Sequence, residues 1–183
     1  LIIEAQIAGP WFREGSEAIW RRRSFHNETA VATVQLRGGR WWSSSFGDVD
    51  TDAVLDLIQV NALAPLKLAE ALADNVAASE RKGMAFQTSL MGSIGDNGSG
   101  GAYAYRLSKA ALNMVGRSVA HDLRARGVIA VLLHPGWVRT RMGGPSGRIS
   151  VEECVAGQQQ LLDSLTASHS GRFFNFDGRE LPW

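Results

Sequence analysis

The sequence predicts an α/β protein built on a doubly wound parallel sheet, which is a sheet with helices packed on both faces. Short, mostly apolar segments alternate with longer segments whose apolar residues repeat at helical spacing. Strands buried on both faces are apolar throughout, and parallel strands are joined by helical crossovers. Ligands bind beyond the carboxyl ends of the strands in such sheets, so we expect the functional site in the residues that follow them.

Residues 51–80 carry the longest helical pattern, and either Asp50 or Thr51 can serve as its N-cap. Pro65 lies inside this helix and has no N–H, so we expect a bend or one backbone carbonyl without its usual partner. The apolar positions at helical spacing are Val54, Leu55, Leu57, Ile58, Leu63, Leu66 and Leu72.

Strands and helices continue to alternate after this first helix. Ser150 and Glu153 have the spacing of a capping box. Buried strands are predicted at residues 84–89, 128–134 and 173–176, and helices at residues 103–126 and 150–165. The predicted helix 103–126 is expected to turn one face toward the core. The residues of that face are Ala110, Leu112, Met114, Val115, Val119 and Leu123.

Length, charge and cysteine content limit the class of protein. A chain of 183 residues suits one domain with a substantial core. The formal net charge of +1 gives no bulk attraction to nucleic acid or anionic membranes, and we predict neither as a partner. The single cysteine, Cys154, excludes an internal disulfide framework, and its helical neighbours favour a buried thiol. No apolar run approaches a membrane span and no secretory leader is visible, so we expect a cytoplasmic location.

Tyr105 and Lys109 stand four residues apart near the start of the predicted helix 103–126, so their side chains share one face. A positive charge beside a phenol favours the phenolate and lowers its pKa from the usual value of about 10. Tyr105 could then donate and accept protons near neutral pH. A Tyr and a Lys on an ordinary solvated helix face have the same spacing, so the pair indicates a functional site only together with other motifs.

Polar residues follow two of the predicted strands. Ser89 ends strand 84–89, and Pro135 and Gly136 form a turn after strand 128–134. His134 closes that second strand and is interpreted as a structural hydrogen-bond donor. Asn61 lies in an apolar helical run, where it either serves the site or satisfies backbone groups near the proline. The sequence contains no Gly-x-Ser-x-Gly elbow, no histidine pair at metal-ligand spacing and no P-loop.

Together these residues resemble the motifs of the short-chain dehydrogenase/reductase family. An asparagine, a serine, a Tyr-x-x-x-Lys and a Pro-Gly-x-Val-x-Thr element follow one another in the family's order. Residues 171–183 look most like the C-factor and sniffer-type carbonyl reductases, and the resemblance covers about residues 47–183. It implies a Rossmann-like sheet, NADP or NAD as cofactor, and hydride transfer to or from a small-molecule ketone, aldehyde or alcohol.

The resemblance also implies a role for each residue. Tyr105 would exchange a proton with the substrate oxygen, and Lys109 would lower the pKa of Tyr105 and bind the nicotinamide ribose. Ser89 would bond the substrate carbonyl, with Ser93 as the alternative because its sequence distance from Tyr105 is closer to the family's. Asn61 would hold a water that relays protons to the lysine. The residues implied to contact the cofactor are Tyr105, Lys109, Pro135, Gly136, Val138 and Thr140, with Val138 and Thr140 at the nicotinamide carboxamide.

The first part of the chain departs from the family pattern. No glycine-rich strand-to-helix turn of the kind that holds a cofactor pyrophosphate occurs before residue 50. Residues 1–10 resemble a remnant strand and loop. Residues 11–46 carry tryptophan and arginine without periodicity, and are interpreted as an insertion or a translated non-coding stretch, or alternatively as a nucleic-acid- or membrane-binding patch. The chain is therefore predicted to be a partial Rossmann-like domain that lacks the first βαβ units, with residues 47–183 as its catalytic-site half.

Two expectations follow from this departure. Without a pyrophosphate-binding turn, the chain by itself is expected to bind cofactor weakly or not at all. The rival to an enzyme is a catalytically impaired fragment that acts as a dimerisation or interaction module. The family pairs its two long helices, here 51–80 and 103–126, across a dimer axis, so the resemblance implies a homo-oligomer.

Overall fold

The computed structural model describes residues 44–183. The expectations for residues 1–10, and for all of residues 11–46 but the last three, fall outside that range. The strands are β1 (Gly83–Gln87), β2 (Ile129–His134) and β3 (Phe173–Asn175). The helices are α1 (Thr51–Ile58), α2 (Ala64–Ala78), α3 (Tyr103–Asp122) and α4 (Val151–Asp163).

The three strands form one parallel sheet in the order β1-β2-β3. The central strand β2 is buried on both faces. Its residues Ala130 and Leu132 pack with side chains of α2 and α3, whereas Val131 and Leu133 pack with Leu161 of α4 on the opposite face. Helices therefore cover both faces, which confirms the predicted doubly wound α/β architecture.

The first predicted helix is one helical run over residues 51–78, interrupted by a π-helical turn at Gln59–Leu63. Asp50 is its N-cap, since its carboxylate accepts the N–H groups of Asp52 and Ala53 at 2.9 and 3.2 Å. In the π turn the Ala64 N–H donates to the Gln59 carbonyl, five residues back. The run continues past Pro65 with an inserted π turn; a bend or one unpaired carbonyl was expected near the proline, and the π turn itself was not predicted.

Several predicted boundaries and one core residue need correction. β1 ends two residues earlier than expected, because Ser89 opens a 3₁₀ turn at Leu90–Gly92. α3 ends at Asp122, four residues before the predicted end, and a 3₁₀ turn follows it. Met114 was predicted to face the core but is 67% exposed, because the preceding polar residue Asn113 takes the buried position. Cys154 is buried as predicted.

Helix α3 lies close to the sheet because glycine occurs at its contact point. A Cβ atom on Gly116 would stand 2.9–3.1 Å from the side-chain carbons of Leu132 in β2. The missing side chain lets the helix backbone approach the strand, which fixes the height of α3 above β1 and β2. This height sets where the first turns of α3 meet the carboxyl ends of the strands.

Candidate active site

The carboxyl ends of β1 and β2 are joined to each other where the candidate residues lie. The Thr88 N–H donates to the Leu133 carbonyl at 2.8 Å, one residue beyond the last paired position of β1. The Leu90 N–H donates to Nδ1 of His134 at 3.2 Å. Ser89 lies between these two bonds, so its position relative to β2 is fixed on both sides.

Helix α3 brings Tyr105 and Lys109 to the same place. Its N-terminus follows Ala102, a residue with φ of +47°, and has no side-chain cap from that residue. The hydroxyl of Ser44 accepts the Ala104 N–H at 3.1 Å instead, and so satisfies one of the free donors of the first turn. A residue distant in sequence therefore caps the helix that carries the tyrosine.

The Ser89 side chain lies close enough to Tyr105 to act on the pKa of the phenol as a hydrogen-bond partner. Burial raises the pKa of Tyr105 above its ordinary value, and the interaction with Ser89 lowers it by less. Ser89 is buried and its Oγ also accepts the Met91 N–H at 3.2 Å. Tyr105 is consequently a neutral phenol at neutral pH, held against a serine whose position is fixed.

Lys109 lies beside Tyr105, with its Nζ 5.9 Å from the centre of the tyrosine ring. The same Nζ donates to the Gln87 carbonyl at the end of β1, at 3.2 Å. Burial lowers the pKa of Lys109 to about 8. The prediction that this lysine lowers the pKa of Tyr105 below its ordinary value is wrong for the structure, because burial of the phenol is the larger effect.

Asn61 is hydrogen-bonded to Ser108 of α3, the helix that carries Tyr105. Its Nδ2 donates to Oγ of Ser108 at 3.0 Å, and that hydroxyl donates to the Tyr105 carbonyl at 2.9 Å. Asn61 also lies inside the π turn, four residues before Pro65, which has no N–H to donate to the Asn61 carbonyl. The side-chain amide therefore links two helices, and its expected role in holding a water stays a prediction.

A second buried network escaped the sequence analysis. The Thr88 hydroxyl donates to Oδ1 of Asn113 at 2.6 Å, and Nδ2 of Asn113 donates to the Gly92 carbonyl at 3.2 Å. Asn113 is only 5% exposed. A Cβ atom on Gly92 would stand 2.7–2.9 Å from the backbone and Cβ of Lys109, so the 3₁₀ turn lies directly against α3. The available signal was a polar residue four positions after Lys109, on the buried face of an amphipathic helix.

Two other candidates take different roles from those expected. His134 accepts the Leu90 N–H through Nδ1, so the prediction that it donates a structural hydrogen bond is wrong. Burial lowers the pKa of His134 to about 4, which keeps the ring neutral and able to accept. Ser93 is 2% exposed and its Oγ accepts the Asp96 N–H at 3.0 Å, so it holds its own loop together.

The loop after β2 carries the remaining predicted residues. Pro135 and Gly136 begin it, and Gly136 has φ of +77° with Cδ1 of Ile149 only 2.7 Å from where a Cβ would stand. Val138 forms a β-bridge with Ile149, and Oγ1 of Thr140 accepts the Gly143 N–H at 3.1 Å. The loop thus starts at the same edge as Tyr105, while Val138 and Thr140 are held by contacts within the loop itself.

Residues 44–183 show neither a metal site nor a membrane-spanning helix. No group of three or more His, Cys, Asp or Glu side chains in that part of the chain is placed to hold a metal ion. No helix found there is long and apolar enough to cross a membrane.

Comparison with known proteins points to one family. Residues 31–148 match the family model described as short chain dehydrogenase. The C-signal protein of Myxococcus xanthus is 46% identical over 145 residues, which cover 79% of this chain and 86% of that protein.

Solved structures give the same result for the fold. The carbonyl reductase Sniffer of D. melanogaster superimposes with a TM-score of 0.75 at 32% identity, covering 84% of this chain and 64% of that one. The NADPH-bound carbonyl reductase from chicken fatty liver gives a TM-score of 0.72 at 32% identity, covering 80% of this chain and 64% of that one. The chain therefore spans less than two thirds of the length of these two structures.

Proposed function

This chain belongs to the short chain dehydrogenase family, and we propose that it is a carbonyl reductase or alcohol dehydrogenase that uses NADP or NAD. The observation that supports this most is the closeness of the Ser89 side chain to Tyr105, together with Lys109 Nζ at 5.9 Å from the centre of the tyrosine ring. A proton donor, a second hydroxyl and a cation meet there at the carboxyl edge of a parallel sheet, where ligands of such sheets bind.

Tyr105 donates the proton to the substrate oxygen in the proposed reduction. Its raised pKa keeps the phenol protonated at neutral pH, which suits a general acid better than a general base. Ser89 shares its hydroxyl between Tyr105 and the substrate oxygen, and stabilises the negative charge that develops there. These two roles favour the direction from ketone or aldehyde to alcohol.

Lys109 supplies positive charge next to the developing alkoxide and replenishes the proton. Its pKa of about 8 leaves it mostly protonated at neutral pH and able to release a proton without a large penalty. The contacts from Asn61 through Ser108 to the Tyr105 carbonyl hold the π turn against the helix that carries both groups. Asn61 is proposed to position a water that passes protons to Lys109.

The residues present fit the nicotinamide end of the cofactor. The ammonium of Lys109 and the hydroxyl of Tyr105 are donors suited to ribose oxygens, and the loop with Pro135, Gly136, Val138 and Thr140 would border the carboxamide. When bound, the nicotinamide supplies or accepts the hydride. These 183 residues contain no glycine-rich turn of the kind that binds a pyrophosphate, so we expect this chain to have weak affinity for the cofactor.

The test of the enzyme compares two tyrosines on one helix. With millimolar NADPH and a panel of ketones and aldehydes, Tyr105→Phe should lower kcat by roughly 10²–10⁴-fold. Tyr103→Phe removes the same hydroxyl two residues earlier on α3 and should retain the activity. Equal activity of all three proteins would refute the proposed acid. Separately, a micromolar NADPH dissociation constant for the chain would contradict the expected weak binding.

One observation favours the rival function of an assembly module. The two long helices expose large apolar side chains, namely Leu55 and Leu63 on the first helical run and Leu107 and Met114 on α3. Helix faces of this kind pair readily with a second copy. Sedimentation should show a homo-oligomer that Met114→Lys dissociates, whereas Val155→Lys on α4, which replaces another exposed apolar side chain, should not. A monomeric parent chain would exclude this function.

A further inference from the structure

A second concave region lies at the opposite, amino edge of the sheet. It is a cavity of about 330 Å³ between the last turns of α3 and the segment that precedes β3. That segment is tied to the start of β2, because the Ser170 hydroxyl accepts the Ala130 N–H at 3.2 Å and the Gly171 N–H donates to the Ala130 carbonyl. The polar residues of this basic pocket are Arg117, His121, Arg124, Ser168, Ser170 and Arg172.

The basic pocket carries an excess of positive charge. Arg172 pairs with Glu180 at 2.9 Å, so three guanidinium charges less one carboxylate leave two positive charges. Arg124 forms no ion pair with any of the residues that the structure describes. Cations at the end of α3 also suit its helix dipole. The helix dipole does not account for the position of Arg172, which lies outside α3, or of Arg117, which lies more than one turn before the end of α3.

One of the guanidinium groups is held in place before any ligand binds. Arg117 donates to the Gly171 carbonyl at 2.5 Å and lies over the Trp183 ring, 5.6 Å from its centre. A cation fixed in this way loses little conformational freedom when it binds an anion. Gly171 has φ of +76° and packs against Ala120, which brings the two walls of the basic pocket together.

We propose that the basic pocket binds a small phosphorylated molecule, at a site separate from Tyr105. Guanidinium groups match the geometry of phosphate oxygens with paired hydrogen bonds, and serine hydroxyls complete such sites. Two net positive charges balance a phosphate monoester, which carries close to two negative charges at neutral pH. A volume of about 330 Å³ exceeds the needs of inorganic phosphate and lies within the range of small-ligand sites.

The test follows backbone amides by NMR in the full chain while sodium phosphate, and then glucose 6-phosphate, replaces sodium chloride at constant ionic strength. Saturable shifts are expected at residues 168–172 and 120–124, with the sugar phosphate binding more tightly than inorganic phosphate. Mapping by residue separates this site from the proposed cofactor loop at residues 135–144.

Two matched variants test whether binding is specific to the basic pocket. Arg124→Gln should weaken binding about tenfold or more, since it removes a charged hydrogen-bond donor. Arg126→Gln removes the same charge two residues away, outside the cavity, where the side chain pairs with Asp74. It should weaken binding no more than about twofold. Equal losses in both variants, shifts that do not saturate, or shifts confined to other residues would overturn the proposal.

Discussion

The two edges of the sheet use polar residues in opposite ways. At the carboxyl edge, Thr88, Ser89 and Asn113 are buried, and each makes hydrogen bonds within the protein. Burial also shifts the pKa values of Tyr105 and Lys109 there. At the amino edge, the arginines of the basic pocket are exposed side chains around an open cavity. Burial thus tunes proton affinity at one edge, whereas the other edge offers charge that is ready to bind an anion.

This difference has a physical origin in the cost of desolvation. A hydroxyl, amide or ammonium removed from water must find partners, and its protonation equilibrium changes because the charged form loses hydration. An exposed guanidinium keeps its hydration and contributes chiefly through attraction to a ligand. Substitutions at the carboxyl edge should therefore change chemistry and stability together, whereas substitution of an exposed amino-edge side chain such as Arg172 should change both only slightly.

After Tyr105→Phe, the largest effect is expected from substitution of one of two serines. Ser89→Ala removes the hydroxyl that lies beside Tyr105 and should lower kcat by roughly 10²-fold, because a donor to the developing oxyanion is lost. Ser93→Ala, a buried loop serine of the same size, should lower kcat far less. Steady-state kinetics of both variants at saturating NADPH decide the matter, and the reverse ranking would assign the role to Ser93.

The next largest effect concerns the buried network behind the site. Asn113→Leu leaves the Thr88 hydroxyl and the Gly92 carbonyl without their partner, and should lower the free energy of unfolding by about 2–4 kcal/mol. Denaturant titration measures this loss. Adding Thr88→Val to Asn113→Leu should recover part of it, since the unsatisfied hydroxyl is then gone. No recovery would show that the leucine acts through bulk alone.

A moderate effect is expected from pH. The pKa of Lys109 is lowered to about 8, so its ammonium is present below that pH and is lost as the pH rises through it. The profile of kcat/KM for the cofactor should therefore fall above about pH 8. Lys109→Arg keeps its charge at these pH values and should move the fall to higher pH. A profile that is flat from neutral pH to well above 8 in the parent chain would argue against this titration.

The smallest effect should come from the amino edge. Arg172→Gln breaks an ion pair whose two side chains are about half exposed, so the free energy of unfolding should change by less than about 1 kcal/mol. Its kcat should match the parent chain within about twofold, because the proposed chemistry lies at the other edge of the sheet. A large loss of kcat in this variant would show that the two edges are coupled.

The sequence predicted the parts of the molecule that depend on local pattern. Apolar periodicity located all three described strands and the helices to within a few residues, and Asp50 and Ser150 cap helices as expected. The burial of Met114 was mispredicted, because periodicity does not show which of two neighbouring helix positions reaches the sheet, and the π turn before Pro65 was not predicted. Only the packing of α3 on β2 through Gly116 settles that choice.

For the candidate site, the types of Asn61, Ser89, Tyr105 and Lys109 and their order along the chain were enough to name them as candidates and to show which family they resemble. Their electrostatics required the tertiary structure, because a pKa depends on how much water each group loses and which groups lie around it. The sequence suggested a tyrosine made acidic by its lysine; the fold instead buries both and shifts both toward their neutral forms. The basic pocket likewise exists only where the end of α3 meets the segment before β3, residues about fifty positions apart in sequence.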